Sequence, residues 1–290
     1  MKLRELRTDI EQALSAMYEP GEAQAVTRLL LAQITGQSWH QLSSEFFLNQ
    51  TMLQTAQNGL EALLRGHPIQ HVTGWGHFYG REFKVGSGAL IPRGETEELM
   101  LWGLEKLLKP PQSGPKKVLD VGTGTGCIPI SLQLEWAEKN RPEQLELYAL
   151  EPYPEAANLA RENAALFDVA LDIVEEDIFE TDVHRFADLN LLISNPPYIP
   201  EQERAELAQR VREFEPASAL FVPDDDPLLF YRVIAERGLH WLQPGGCLLF
   251  ECHQDYTEAV AALMQELGYA SVSWKRDIHG RPRMAGGEKG

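Results

Sequence analysis

The residues best suited to chemistry are Asn195-Pro196-Pro197-Tyr198, which follow the apolar run Leu191-Leu192-Ile193-Ser194. Two successive prolines fix φ and remove two backbone donors, so the carbonyls there can face a ligand with no competing N–H. The Asn195 amide adds an acceptor oxygen and two donors. This set matches a planar group bearing –NH2: the Asn195 oxygen and the Pro196 carbonyl accept its two hydrogens, and the Tyr198 ring covers its face. A planar amine or amide has a delocalised lone pair and is a poor nucleophile. Holding both hydrogens while the nitrogen faces a sulfonium methyl aligns an in-line transfer, and the aromatic ring favours the cation. Asn195, Pro196 and Tyr198 are therefore the expected catalytic residues.

A second cluster lies upstream. Val118-Leu119-Asp120-Val121 runs into Gly122-Thr123-Gly124-Thr125-Gly126, an apolar strand followed by a glycine-rich turn. Glycines permit positive φ and close approach of a ligand to the backbone, and the following helix offers free N–H groups. A dinucleotide fingerprint spaces its third glycine three residues after the second; here the interval is two, which favours S-adenosylmethionine over a pyrophosphate. Glu151 ends the next strand, 25 residues beyond Gly126, where a ribose diol is accepted in either kind of pocket. Asp177 and Ile178 end a third strand and suit an adenine amino group beside an apolar wall, although Asp177 equally suits a cap.

These motifs need a frame that brings strand ends together. From residue 116 the chain alternates apolar strands with helical stretches: KKVLDVG, LELYALE, LDIVEED, LNLLISN, GGCLLFE and YASVSWK. Such alternation implies βαβ units around a mostly parallel sheet, with ligands at its carboxyl edge. The Pro110-Pro111-Gln112-Ser113-Gly114-Pro115 stretch reads as a turn leading into it. Gly94 to Leu108 reads as a helix, and His67 to Pro92, punctuated by glycines among aromatic and β-branched residues, as a β-hairpin linker. Upstream, Leu3, Leu6, Ile10, Leu14 and Met17 mark one helix face. Val26, Leu29, Leu30 and Ile34 mark a second, Ser38 begins a third through Phe46 and Phe47, and a fourth runs from Thr51 to Leu64.

Composition narrows the classes. The 290 residues carry 26 Lys+Arg against 43 Asp+Glu, a net charge of −17, which disfavours a duplex-binding surface. Residues 1–70 hold five cations and seven acids, so most of the acidity lies downstream. No apolar stretch is long enough to span a bilayer, and MKLRELRTDIEQAL lacks a signal-peptide apolar core. A cytoplasmic protein without membrane contact is expected. Cys127, Cys247 and Cys252 form no CxxC pair, so neither disulfides nor a metal site is expected.

With these motifs together, the chain resembles the PrmC (HemK) family, which methylates the glutamine amide in the Gly-Gly-Gln motif of bacterial peptide chain release factors. The resemblance spans nearly the whole length: the N-terminal helices, Pro68-Ile69-Gln70-His71-Val72-Thr73-Gly74, Leu90-Ile91-Pro92-Arg93-Gly94-Glu95-Thr96-Glu97, Asp120 to Gly126, Asn195 to Tyr198, and Phe214-Glu215-Pro216-Ala217-Ser218-Ala219-Leu220. It implies a Rossmann-like class I S-adenosylmethionine-dependent methyltransferase domain over 93–290, an α/β fold. A helical bundle over 1–70 would recognise the release factor, and 71–92 would link the two. It implies cofactor binding by Gly122, Thr123, Gly124, Thr125, Gly126, Glu151, Asp177, Ile178 and Asn195. Asn195, Pro196, Pro197 and Tyr198 would hold the glutamine, with Arg93 and Glu97 on the substrate side. No direct nucleic-acid partner is implied, and the chain is expected to be a monomer.

Three features depart from that pattern: Gly94 stands where the family usually has Pro, Cys252-His253 where it has a small, often glycine-containing stretch, and the ending RPRMAGGEKG implies a last antiparallel strand that is short and polar. Among other activities, an adenine-N6 nucleic-acid methyltransferase suits Asn-Pro-Pro-Tyr equally, but the acidity opposes it. A catalytically idle binding module would have lost the glycine turn or Asn195. A nicotinamide-linked dehydrogenase leaves Asn-Pro-Pro-Tyr without a role.

Overall fold

Leu3, Ile10 and Leu14 lie on one buried face of α1 (Leu3–Leu14); Met17 lies past the helix end and is half exposed. Pro20 occupies the first turn of α2 (Pro20–Thr35), where its missing N–H costs nothing, and Gly36 closes that helix at φ 67°. Asn49 caps α3 (Gln50–Leu64) by accepting from the Met52 N–H at 2.9 Å. The helix expected from Ser38 to Phe47 does not form: a single turn, Trp39–Gln41, stands there, and Ser38 makes no side-chain cap. The backbone beyond that turn serves α1 instead. Leu3 N–H donates to Phe46 O at 2.9 Å and Arg4 N–H to Ser44 O at 3.2 Å, satisfying donors that a helix start leaves free.

The expected hairpin linker also differs. Residues 69–73 form a short helix, α4 (Ile69–Thr73), and only then come β1 (Trp75–Phe78) and β2 (Arg81–Lys84). Phe78 and Phe83 are fully buried and meet edge-to-face at 6.1 Å, so the hairpin belongs to a core. The computed structural model describes residues 1–109, 114–139 and 144–290, so Pro110 to Ser113 of the expected Pro110–Pro115 turn lie outside the described residues. It divides into two units: Met1–Trp75 with Ala208–Phe214, and Gly76–Leu207 with Glu215–Gly290.

In the second unit the elements follow as α5 (Gly94–Leu107), β3 (Lys116–Val121), α6 (Cys127–Glu138), β4 (Leu145–Leu150), α7 (Pro154–Leu166), β5 (Asp172–Val174), β6 (Leu189–Ser194) and the short β7 (Ile199–Pro200). After α8 (Gln209–Phe214), which groups with the first unit, come the short β8 (Phe221–Val222), α9 (Leu229–Trp241), β9 (Leu242–Glu251), α10 (Thr257–Glu266), β10 (Ala270–Arg276) and β11 (Pro282–Glu288). The seven-stranded sheet has the order β10-β11-β9-β6-β3-β4-β5. β9, β6, β3, β4 and β5 run parallel, and β11 is antiparallel to both neighbours. Its strands bury both faces with a period of two. Val118, Leu191, Ile193 and Leu249 pack with Leu99, Met100 and Ile130, whereas Leu119, Leu192, Leu248 and Phe250 pack with Tyr231, Ile234 and Trp241.

The last strand is neither short nor polar: β11 has seven residues, and Met284 to Gly287 are buried inside the sheet. Its small residues are the physical reason. A Cβ on Gly286 would collide with Leu249 and with Trp102 Cη2, so only glycine lets those side chains close over this position. Chain order reverses between β3 and β6, since β4 and β5 extend to one side and β9 to the other. The crevice beyond the carboxyl ends of β3 and β6 is therefore where a ligand is accepted. Among the described residues no helix is long and apolar enough to cross a membrane.

Candidate active site

The end of β3 sets one wall of this crevice. Gly122 and Gly126 take φ of 74° and 76°, which turns the backbone sharply into α6. The two serve different ends. A Cβ on Gly122 would meet nothing within 4 Å, whereas one on Gly126 would sit 3.1 Å from Ile130 Cδ1 and 3.3 Å from Ala160 Cβ. Gly122, Thr123, Gly124 and Thr125 line the cleft; Gly126 lets α6 pack against α7.

Two buried carboxylates underlie the turn. Glu151 accepts from the Gly124 N–H at 2.9 Å through one oxygen and from the Tyr153 N–H at 3.2 Å through the other. Burial raises its pKa, against the pull of those two bonds. Each oxygen retains a lone pair for a ligand hydroxyl. Asp120, to which the spacing assigned no role, is 1% exposed. Its Oδ2 accepts from the Thr123 hydroxyl at 2.7 Å, while its Oδ1 has no hydrogen-bond partner among the described residues. Burial first, with the Glu151 charge adding, pushes this carboxyl up to about 7.

Asp177 lines the cleft, and its Oδ1 accepts from the Phe179 N–H at 3.0 Å, a local turn bond. Ile178 is buried in the same wall, which Phe179 and Phe230 extend with rings 5.2 Å apart. A nucleoside cofactor bearing a cationic amine fits these residues. Asp120 is not among the cleft-lining residues, but its orphan oxygen, two residues before Gly122, could accept from the cation; the open Gly122 edge admits close approach, Glu151 can take a ribose, and the Ile178-Phe179 wall can cover a base. The cavity measures about 280 Å³.

The end of β6 supplies the opposite wall. Ser194 hydroxyl donates to Val121 O at 2.7 Å, pinning β6 to β3 where both strands end. Asn195, Pro196 and Pro197 line the cleft. Asn195 Nδ2 donates to Thr96 Oγ1 at 3.1 Å, and no hydrogen bond among the described residues reaches its Oδ1. Tyr198 does not line the cleft. Its hydroxyl donates to Glu251 Oε1 at 3.1 Å, its N–H donates to Leu220 O, and its ring stands 6.2 Å from that of His253. Burial, reinforced by the Glu251 charge, raises the Tyr198 pKa.

The two substrate-side residues part company. Arg93 lines the cleft and pairs with Glu215, whose other oxygen accepts from the Ile91 N–H at 3.1 Å. The Pro-Arg and Phe-Glu-Pro motifs, far apart in the chain, are thereby locked to each other. Glu97 instead holds the hairpin: its Oε1 accepts from the Tyr79 N–H at 2.8 Å, and it is not among the cleft residues. Gly94 begins α5 with open space where a Cβ would stand, so its departure from proline disturbs no contact. His253 sits 3.2 Å from Glu203, a rim pair away from the cleft lining.

Residues 100–220 match the Methyltransferase small domain family model. The release factor glutamine methyltransferase of Bacteroides thetaiotaomicron is 35% identical over 95% of this chain and 96% of that relative. Its counterpart of the same name from Flavobacterium psychrophilum is 34% identical over 98% of each. A methyltransferase crystal structure from Pyrococcus furiosus shares the fold at a TM-score of 0.50 and 16% identity, covering 81% of this chain and 99% of that one.

Proposed function

The chain belongs to the release factor glutamine methyltransferases, and on that premise we propose that it transfers a methyl group from S-adenosylmethionine to the side-chain amide nitrogen of the Gly-Gly-Gln glutamine in a bacterial peptide chain release factor, modulating translation termination. Bound against the glycine-rich turn, the cofactor supplies a sulfonium methyl of high electrophilicity. Gly122 to Thr125, Glu151, Asp177 and Ile178 would hold and orient it, and the orphan Asp120 oxygen would accept from its amine. Asn195 Oδ1 and the Pro196 carbonyl accept the two hydrogens of the glutamine amide, and Pro197 completes the wall. That clamp fixes the nitrogen in line with the methyl, so orientation supplies most of the rate. Transfer would form a nitrogen–carbon bond as the carbon–sulfur bond broke, and the nitrogen would then release one proton to solvent. Arg93, fixed by Glu215, lies at the same cleft and suits backbone carbonyls of the incoming loop.

The observation that carries the amide assignment is the commitment of Asn195 Nδ2 to Thr96, which leaves an acceptor oxygen for a ligand –NH2. The helical unit, which exposes Leu29 and Phe47, would help dock the release factor. A release-factor substrate supports a cytoplasmic protein. An adenine amine meets the same Asn195 geometry, but a net charge of −17 opposes capture of a polyanion. The test offers labelled S-adenosylmethionine with either a release factor or DNA. Label in the release factor alone is expected; label in DNA alone contradicts the assignment.

A further inference from the structure

Glu251 ends β9, is 2% exposed, and reaches neither the cleft nor the glycine turn. It receives two hydroxyls: Thr96 Oγ1 donates to Oε2 at 2.7 Å, and Tyr198 donates to Oε1 at 3.1 Å. Thr96, on α5, is 4% exposed and receives Asn195 Nδ2. Three elements distant in sequence thus meet in one hydrogen-bonded chain, Asn195 to Thr96 to Glu251 to Tyr198.

The chain has a direction. An ionised carboxylate holds no proton and only accepts, so it takes the protons of both hydroxyls. Thr96 has one proton, and Glu251 has it. The Thr96 oxygen is left with lone pairs alone and can only accept from Asn195. A side-chain amide is nearly the same shape in either sense, so sterics do not choose between Nδ2 and Oδ1. The acceptor at Thr96 does choose, and it turns Oδ1 away from Thr96. Reversal would set an –NH2 against the –NH2 of the glutamine, donor against donor. Burial raises the Glu251 pKa and the Glu95 charge adds to the rise, while the Thr96 hydroxyl, the Arg283 charge and the Tyr198 hydroxyl oppose it and favour the carboxylate. Apolar side chains of similar volume would fill this site at lower desolvation cost, so a buried charge here calls for a reason other than stability.

We propose that Thr96 and Glu251 are positioning residues that fix the amide sense of Asn195 and so present its oxygen to the substrate. This rests on the reading of Asn195 as the clamp for a glutamine amide. Glu251 lies outside the cleft; Thr96 lines it, but its hydroxyl is engaged by Glu251 and Asn195, so both residues act through Asn195.

The test compares wild type, Thr96→Val and Thr96→Ser in methyl transfer to a release factor, with cofactor Kd and Tm measured alongside. Valine keeps the shape and removes the acceptor. Its kcat is expected to fall about 10- to 100-fold, as for other losses of a supporting hydrogen bond, with the cofactor Kd within about three-fold. Serine, which keeps the hydroxyl, restores kcat to within about three-fold of wild type. Full kcat in Thr96→Val overturns the proposal.

If Thr96→Val does not fold, Glu251→Gln carries the same question at constant shape. Its amide N–H goes to Thr96, because Tyr198 still needs an acceptor for its proton and a phenolic oxygen is the poorer acceptor. Thr96 then donates to Asn195 and reverses it. A fall in kcat at unchanged cofactor Kd is expected, and unchanged kcat overturns the proposal. A wild type that transfers to the release factor while both variants keep pace removes the relay alone; a wild type that labels no release factor removes the functional reading and the relay with it.

Discussion

Asn195→Ala takes away the oxygen that faces the ligand while leaving Gly122 to Thr125 and Glu151 in place. Methyl transfer to a release factor is therefore expected to drop by at least about 100-fold, with S-adenosylmethionine affinity within a few-fold of wild type. Turnover assays and calorimetry on the same preparation check both halves. Asp120 gives a pH signature. Its carboxyl is pushed up to about 7 by burial, so the fold favours the protonated form. That contribution to stability is full below the ordinary carboxylate range and is lost as pH rises through about 7. A cationic amine at Oδ1 needs the ionised form, so the cofactor binds more tightly as pH rises through the same window. Calorimetric Kd values between about pH 6 and about pH 8 are expected to show this, and Asp120→Asn to abolish it. Asn195 and Glu151 were legible because a polar residue ending an apolar strand announces a sheet edge. Thr96 and Glu251 were not, since their partners stand 99 and 155 residues away. One signal was available: Glu251 is an acid closing the apolar run Cys247-Leu248-Leu249-Phe250 at that same edge.

At the scale of elements, alternation carried the βα order from Lys116 onward, because strands buried on both faces must read as apolar runs. β11 escaped it. Arg283-Met284-Ala285-Gly286-Gly287 has little hydrophobic signal of its own, and it is buried because Leu249, Trp102 and Tyr269 supply the bulk from neighbouring elements. Gly286→Val is accordingly expected to destabilise the protein by about 2 kcal/mol or more, as overpacking does, read as a lower midpoint in urea unfolding. A neutral effect would mean that the sheet here is loose. Ser38 as an N-cap predicts a helix through Phe46 and Phe47, but the carbonyls of Ser44 and Phe46 are claimed by the start of α1. The hairpin was legible, though its boundary was not: Ile69 to Thr73 coil into a turn of helix before Gly74, at φ 78°, ends it.

Across the whole molecule, the acidity is concentrated where the methyltransferase fold lies. Beyond residue 70 stand 21 cations and 36 acids, against five and seven before it. Such a surface repels nucleic acid, so no transfer to DNA is expected at any ionic strength at which the release factor is modified. Ala208–Phe214 groups with Met1–Trp75 through an Arg210–Glu22 ion pair at 2.6 Å and the Phe214–His67 ring contact at 4.1 Å, partners that chain order does not reveal. Comparison of wild type and Asn195→Ala by tandem mass spectrometry of the release factor, after incubation with S-adenosylmethionine, reaches the amide clamp most directly. Wild type is expected to leave one methyl group on the side-chain nitrogen of the Gly-Gly-Gln glutamine and Asn195→Ala to leave that glutamine unmodified. A methyl group on another atom, or an equally modified glutamine with the variant, would contradict the clamp.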